Sequence, residues 1–302
     1  MRWVKKGLIF RPPRNLSWMV THAAVPCARR LTGDTYRVYF AGRDARNRSR
    51  IGCFEIDMTR PDESMHVSRE PLLGCGQLGA FDDNGVMPSW TIDHDGKTYL
   101  YYIGWNLGVT VPFYNSIGLA ISEDGGKTFE RFSRGPILGR DTCDPFFVGS
   151  SCVLVEDTLW RMWYLSCCRW NVQDGKPKHY YHLKYAESED GICWKRTGLV
   201  SIDHKSEDEY AISRPSVIKD DDMYRMWYSY RGKSYRIGYA ESADGIRWER
   251  KDEEAGIDVS PLGWDSTMIE YPFVFDHEGE RYMLYNGDGY GETGIGLAVR
   301  AE

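Results

Sequence analysis

A fifteen-residue phrase recurs along this chain: RIGYAESADGIRWER spans Arg236–Arg250, and HLKYAESEDGICWKR spans His182–Arg196. Related copies follow at SIGLAISEDGGKTFER from Ser116, RIGCFEI from Arg50 and GIGLAVR from Gly294. Upstream of each copy stands an aromatic run: YRVYFAGRD from Tyr36, TYLYYIGW from Thr98, LWRMWYLS from Leu159, YRMWYSYRG from Tyr224 and RYMLYNGDG from Arg281. Upstream again comes a proline with apolar neighbours, at Pro26, Pro88, Pro145, Pro215 and Pro272. A period of about 55–65 residues points to a solenoid or a propeller. The apolar runs are short, rich in Tyr and Trp, and separated by turn sequences such as HDGK, KDDD, HEGE and SADG, so each unit reads as strands.

The simplest unit is a four-stranded antiparallel meander, and five of them around an axis make an all-β, five-bladed β-propeller. The fifth copy stops after its third strand. The N-terminal WVKKGLIF is therefore expected to close the last blade, within a single domain over residues 1–302. On this reading the recurring phrase is the third strand, turn and fourth strand of a blade, and structure alone accounts for its recurrence.

Alternate connections of a meander point to opposite ends. The tight turns share one end. The segments before the prolines share the other with the loops between strands two and three. That second end gathers Asp82, Asp83, Asp144 and Glu270, together with Arg43, Asp44, Arg48, Arg169, Arg214 and Arg231. His22, Trp105, Asn106, Asn286 and Asp288 lie there as well. Long, chemically rich loops on a rigid scaffold are where binding and catalysis concentrate. Asp82 also suits a turn cap, Asp44 a surface pair with Arg43, and Trp90 the core. His179 and His182 lack a carboxylate nearby in sequence and make a poor metal site, and nothing calls for a cofactor.

The net charge of −6 argues against nucleic acid. No stretch approaches a membrane span, and the N-terminal residues do not read as a signal peptide. The eight cysteines, most read as small core residues, include no C-x-x-C. These features give the expectation of a cytoplasmic protein with reduced thiols.

At this point the sequence resembles the five-bladed propeller glycoside hydrolases that include arabinanases, β-xylosidases and invertases, and the related mannoside phosphorylases. CDPFF at Asp144 is similar to the Arg-Asp-Pro motif of the invertase-like enzymes, with Cys143 in place of Arg. EYP at Glu270 is similar to their Glu-Cys-Pro motif. The resemblance implies that Glu270 is the general acid and that Asp144 orients the sugar. The first blade offers His22 where the group has an Asp, and the blade after the Asp-Pro offers Arg214. Asp83 is then the candidate for the missing carboxylate. The arginines point to an anionic carbohydrate, such as a phosphorylated or acidic sugar, or to phosphate as the attacking group. A sugar-binding propeller without catalysis and a protein-interaction propeller are the competing expectations.

Overall fold

The computed structural model describes residues 1–301. All regular structure is strand, apart from one 3-10 turn at Asp252–Glu254. After β1 (Trp3–Phe10), the first meander runs through β2 (Thr21–Thr32), β3 (Thr35–Arg43) and β4 (Ser49–Asp57). The second holds β5 (Gly85–His94), β6 (Lys97–Leu107), β7 (Phe113–Ser122) and β8 (Glu130–Arg131). The third holds β9 (Val148–Glu156), β10 (Leu159–Gln173), β11 (Lys176–Ser188) and β12 (Lys195–Ile202). The fourth holds β13 (Ala211–Asp220), β14 (Met223–Arg231), β15 (Tyr235–Ser242) and β16 (Glu249–Arg250). The last is β17 (Glu270–His277), β18 (Glu280–Asn286) and β19 (Ile295–Arg300), and β1 pairs antiparallel with β19, Trp3 opposite Arg300. Where the first meander would have its fourth strand there are only isolated bridges, Ile51 with Leu73 and Glu55 with Met65.

The first strands pack side by side in the order β2, β5, β9, β13, β17, and β17 returns to β2. Asn286 fastens this closure: its Oδ1 accepts from Val25 N–H at 2.8 Å, and its Nδ2 donates to Ala23 O at 2.7 Å and Gly294 O at 2.8 Å.

The repeated phrase has a physical job at three of the junctions. In the turns after β7, β11 and β15, the Asp of each (Asp124, Asp190, Asp244) accepts two backbone N–H groups. The following glycine takes positive φ (79°, 70° and 74° at Gly126, Gly191 and Gly245). Its carbonyl then accepts from an aromatic of the preceding meander: Tyr39 Oη at 2.9 Å, Tyr101 Oη at 2.8 Å and Trp163 Nε1 at 2.8 Å. The fourth aromatic of this series is Trp227. Among the described residues no such turn follows β19, and the buried Trp227 Nε1 has no acceptor. It packs edge-on with Trp3 of the closing strand instead, ring centroids 5.8 Å apart.

Each inner strand carries a bulge near its mouth end. The register slips at Ala24/Cys27, Pro88/Trp90, Ser213/Ser216 and Glu270/Phe273, and again where β9 passes Ser150. Val25, Ser150, Arg214 and Tyr271 sit there at φ of 56°, 46°, 53° and 56°. Left-handed backbone at non-glycine residues is costly, and a bulge re-aims the side chain it carries. In the third meander the bulge is at Ser150. Pro145 lies before β9, so the proline of that repeat is displaced from the position held by Pro26, Pro215 and Pro272.

Candidate functional site

The acidic residues of the pre-strand segments separate into two kinds. Asp144 belongs to the framework. It is fully buried, and Tyr164 Oη (2.9 Å), Ser166 Oγ (2.6 Å), Lys184 Nζ (3.1 Å) and Arg196 Nη1 (2.9 Å) all donate to it. Burial pushes its pKa up, but Ser166, Lys184 and Tyr164 together hold it below the ordinary value. Asp82 has the same surroundings one meander earlier, with Tyr102 Oη at 3.1 Å and Arg131 Nε at 2.8 Å. Asp265 repeats them in the last meander, with Tyr285 Oη at 3.1 Å and Lys5 Nζ at 2.7 Å. In all three the Asp lies 20 residues before its Tyr. The fourth meander uses Glu209 and Asp252 with Arg250 and Tyr228. The first has Phe40 in place of Tyr, against Trp18. Asp144 is thus one instance of a repeated tie between the pre-strand segment and the outer strands. Its lone pairs are taken by four donors, which replaces the expectation that it orients a sugar.

Several other candidates also serve the frame. Asp44 organises its loop, accepting from the Arg46 and Arg48 N–H groups and from the Arg48 and Arg50 side chains. Burial opposes this, but those donors bring its pKa down to about 2. Arg48 is thereby tied to Asp44, 2.9 Å away. Asn286 closes the ring, and Asp288 accepts from the Thr267 and Met268 N–H groups. Asp83 caps a turn through Gly79 N–H at 2.9 Å. Arg214 does not reach solvent. Its side chain is fully buried on the axis, donating to Ser89 O of β5 and, at 2.5 Å, to Pro26 O of β2, and its Nε has no partner. It pins three inner strands beneath the mouth, where an anion-binding position at the opening was expected.

Glu270 is of the other kind. It opens β17, is fully buried, and neither carboxylate oxygen has a hydrogen-bond partner. Burial drives its pKa well above the ordinary value, against the pull of Arg231, Tyr271 and Arg43. Those two arginines come from the mouth ends of β14 and β3, on either side of the last meander. Arg43 bonds Asn47 Oδ1 at 3.1 Å and Arg231 bonds Tyr290 Oη at 2.6 Å, and among the described residues neither is in an ion pair. Tyr181 and Tyr235 share a 2.5 Å hydroxyl contact beside them, and the Tyr235 ring lies 6.1 Å from both Tyr271 and Tyr290. Half-buried His22 bonds Thr21 at 2.8 Å; burial and then Arg43 lower its pKa to about 4, so it is neutral at pH 7. Next to Arg43 opens a cavity of about 290 Å³, lined by Asn47, Met87, Trp105, Phe113 and Asn115. Trp105 is oriented by its Nε1 bond to Ser49 Oγ at 2.8 Å, while Asn106 lies one residue further out on β6, opposite Tyr114.

An aromatic wall, which no repeat or motif in the sequence marks, stands beside these groups. Phe113, Phe147, Trp170, His179 and Tyr181 pack in one cluster, with His179 stacked on Tyr181 at 5.0 Å. Burial, with Arg231 and Lys178, takes His179 down to a pKa of about 4, so its ring acts as a neutral aromatic. His182 bonds Asp203 at 3.1 Å. The one group of potential metal ligands within 4.8 Å of each other, among the described residues, is Asp34, His277 and Glu278 at the tight-turn end.

No family model matches the sequence. Two curated proteins do, Uncharacterized protein MT1551 and Uncharacterized protein Rv1502 of two Mycobacterium tuberculosis strains. Each is 46% identical over 299 residues, covering 99% of both sequences. This chain belongs to their family. Among solved structures it is similar to the BT0996 RGII complex, at a TM-score of 0.79 and 19% identity, over 99% of this protein and 91% of that one. A thermostable family-43 glycoside hydrolase matches at 0.65 and 16% identity, over 95% and 90%. A Bombyx mori GH32 beta-fructofuranosidase in complex with sucrose matches at 0.59 and 13% identity, over 93% and 61%. The fold is that of the propeller glycoside hydrolases.

Proposed function

We propose that this protein is a carbohydrate-active enzyme, a single five-bladed propeller that cleaves a glycosidic bond with Glu270 as general acid. One observation carries this reading: a buried carboxyl group without hydrogen-bond partners, flanked by two arginines that have no carboxylate partner among the described residues. A carboxyl group kept protonated by burial can donate to a leaving oxygen near neutral pH. The two guanidinium groups offer planar forks to a carboxylate or phosphate on the ligand. In this arrangement Glu270 is shut from solvent. Tyr290, held by Arg231, stands beside it, so a ligand has to displace that contact as it enters.

A hydrolase needs a second carboxylate across the scissile bond, about 5–5.5 Å away for retention or about 6.5–9.5 Å for inversion. Asp144 is committed to the framework, which leaves Asp83 as the candidate, with only its Oδ2 engaged in the turn. Phosphorolysis is the second reading, favoured by the arginine pair. There a phosphate oxygen held by Arg43 and Arg231 attacks the anomeric carbon, the glycosidic C–O bond breaks, and Glu270 protonates the leaving oxygen. Only one carboxyl group is then required.

The test is a panel of aryl and natural glycosides assayed with and without inorganic phosphate, on the wild type and on Glu270→Gln. The expected result is wild-type turnover that falls about 10²-fold or more in the variant, the scale of losing a general acid. Wild-type turnover that survives the substitution refutes the role of Glu270. Ligand binding without turnover on any glycoside shifts the reading to a sugar-binding propeller.

A further inference from the structure

Framework cations pair with carboxylates at both ends of the molecule, as Arg48 and Arg50 do with Asp44 at the mouth end. At the tight-turn end Arg29, Arg37, Arg161, Lys219, Arg225 and Arg281 are all in ion pairs. On the strip leading out of the mouth the cations lie over tyrosine rings. The Arg231 guanidinium is 5.3 Å from the Tyr210 ring centre, and Lys178 Nζ is 3.9 Å from the same ring. Lys178 Nζ is also 5.5 Å from Tyr180, and the exposed Arg169 lies 4.1 Å from Tyr180. Among the described residues none of these three cations is in an ion pair, although the protein carries a net charge of −6.

The result is one continuous row, Arg231, Tyr210, Lys178, Tyr180, Arg169, whose inner end is beside Glu270. We propose that this row is a second anion-binding subsite, and that the ligand of the mouth is an acidic oligosaccharide with charged units beyond the one at Glu270. The proposal rests on the carbohydrate reading above. Three considerations support it. A cation over a ring gains only about 0.5–1 kcal/mol at an exposed site, and its N–H groups remain free to donate. Like charges facing one ring repel, and an anion between them removes that repulsion. Aromatic faces suit the apolar faces of sugar rings, so the alternation of ring and cation matches a polymer that alternates sugar ring and carboxylate.

The row runs outward along β11: Tyr181 borders Glu270, and Lys178 is three residues further on, about 10 Å at strand rise.

The probes are galacturonate and glucuronate oligosaccharides of increasing length, beside neutral galactose and glucose oligosaccharides. Binding to the full-length protein is read by calorimetry at fixed low salt. The expected result is an affinity gain of about tenfold or more from one to three acidic units, the worth of one or two charge-assisted contacts. That gain should shrink with added salt and flatten in Lys178→Gln and Arg169→Gln. An equal gain for neutral oligomers, or an undiminished gain in both variants, overturns the subsite. So does tighter binding of single-stranded oligonucleotides than of acidic saccharides. If no acidic oligomer binds while a neutral glycoside is still turned over in a Glu270-dependent way, the subsite falls and the proposed reaction stands.

Discussion

Replacing Glu270 with Gln should make the protein more stable at neutral pH, and the size of the gain should depend on pH. The reasoning is linkage. In the unfolded state Glu270 ionises near its ordinary value of 4.5, and in the folded protein burial raises the pKa well above that. Between the two values the folded state holds a proton that the unfolded state has released. Stability is therefore fully present below about pH 4.5 and is lost as pH rises towards the folded pKa. The slope is at most about 1.4 kcal/mol per pH unit, the worth of one proton. The glutamine variant carries no such dependence. For a domain of this size each kcal/mol shifts the melting temperature by about 2–4 °C. Thermal and urea unfolding of both proteins, stepped from pH 4 to pH 8, reads the difference directly. The two profiles should run parallel below about pH 4.5 and then diverge, the variant gaining on the wild type until the folded pKa is passed. His22 and His179, both with folded values of about 4, titrate alike in the two proteins and drop out of the difference. Parallel profiles over the whole range would refute the buried, partnerless carboxyl. A variant that loses ground as pH rises would refute the sign.

Asp144→Asn leaves Lys184 and Arg196 facing an amide, and should cost about 3–5 kcal/mol, the scale of breaking a buried ion pair. Asp144 is held below its ordinary pKa, so its contribution is present above about pH 4 and lost as pH falls through the folded value; urea unfolding stepped from pH 7 into acid should show the gap to Asn narrow as pH falls below about 4. A fully stable Asp144→Asn protein with impaired sugar binding would return Asp144 to the ligand site. Arg214→Ala removes the donors to Ser89 O and Pro26 O and opens a void on the axis, for an expected loss of about 3 kcal/mol or more. Arg214→Met fills most of that volume and should recover part of the loss. An Arg214→Ala variant within about 0.5 kcal/mol of wild type would remove the axial pin from the account.

Much of the architecture was legible because the repeat is a physical unit. Each of the three full-length phrases supplies a strand, an Asp-braced turn and a glycine carbonyl that receives the neighbour's aromatic, so self-similarity in sequence is self-similarity in hydrogen bonding. The closing strand was equally legible: WVKKGLIF was expected beside GIGLAVR, and Trp3–Phe10 pairs with β19 there. The outer edges were less so. Two-residue strands such as Glu130–Arg131 leave little periodicity to read, and the first meander closes with bridges only.

The site divides along the same line, and Asp144 shows why. An acid one or two residues before a proline reads as the start of an inner strand in both CDPFF and EYP. Only Glu270 is on such a strand, because the third meander places its bulge at Ser150, without a proline, and pushes Asp144-Pro145 back into the connecting segment. A local motif could not separate the two, since the difference lies in register. The spacing could. An Asp 20 residues before a Tyr recurs at Asp82–Tyr102, Asp144–Tyr164 and Asp265–Tyr285, and an acid that recurs with the period of the scaffold belongs to the scaffold. Glu270 has no counterpart by the same measure. Its place in the other bulged strands falls to Ala24, Met87, Gly149 and Ser213, uncharged residues that need no counter-charge. In a protein built from copies, a charged residue found in one copy only, without partners and out of water, is where a ligand is needed to complete the structure. By that criterion Glu270 is the acid that the proposed function puts to use.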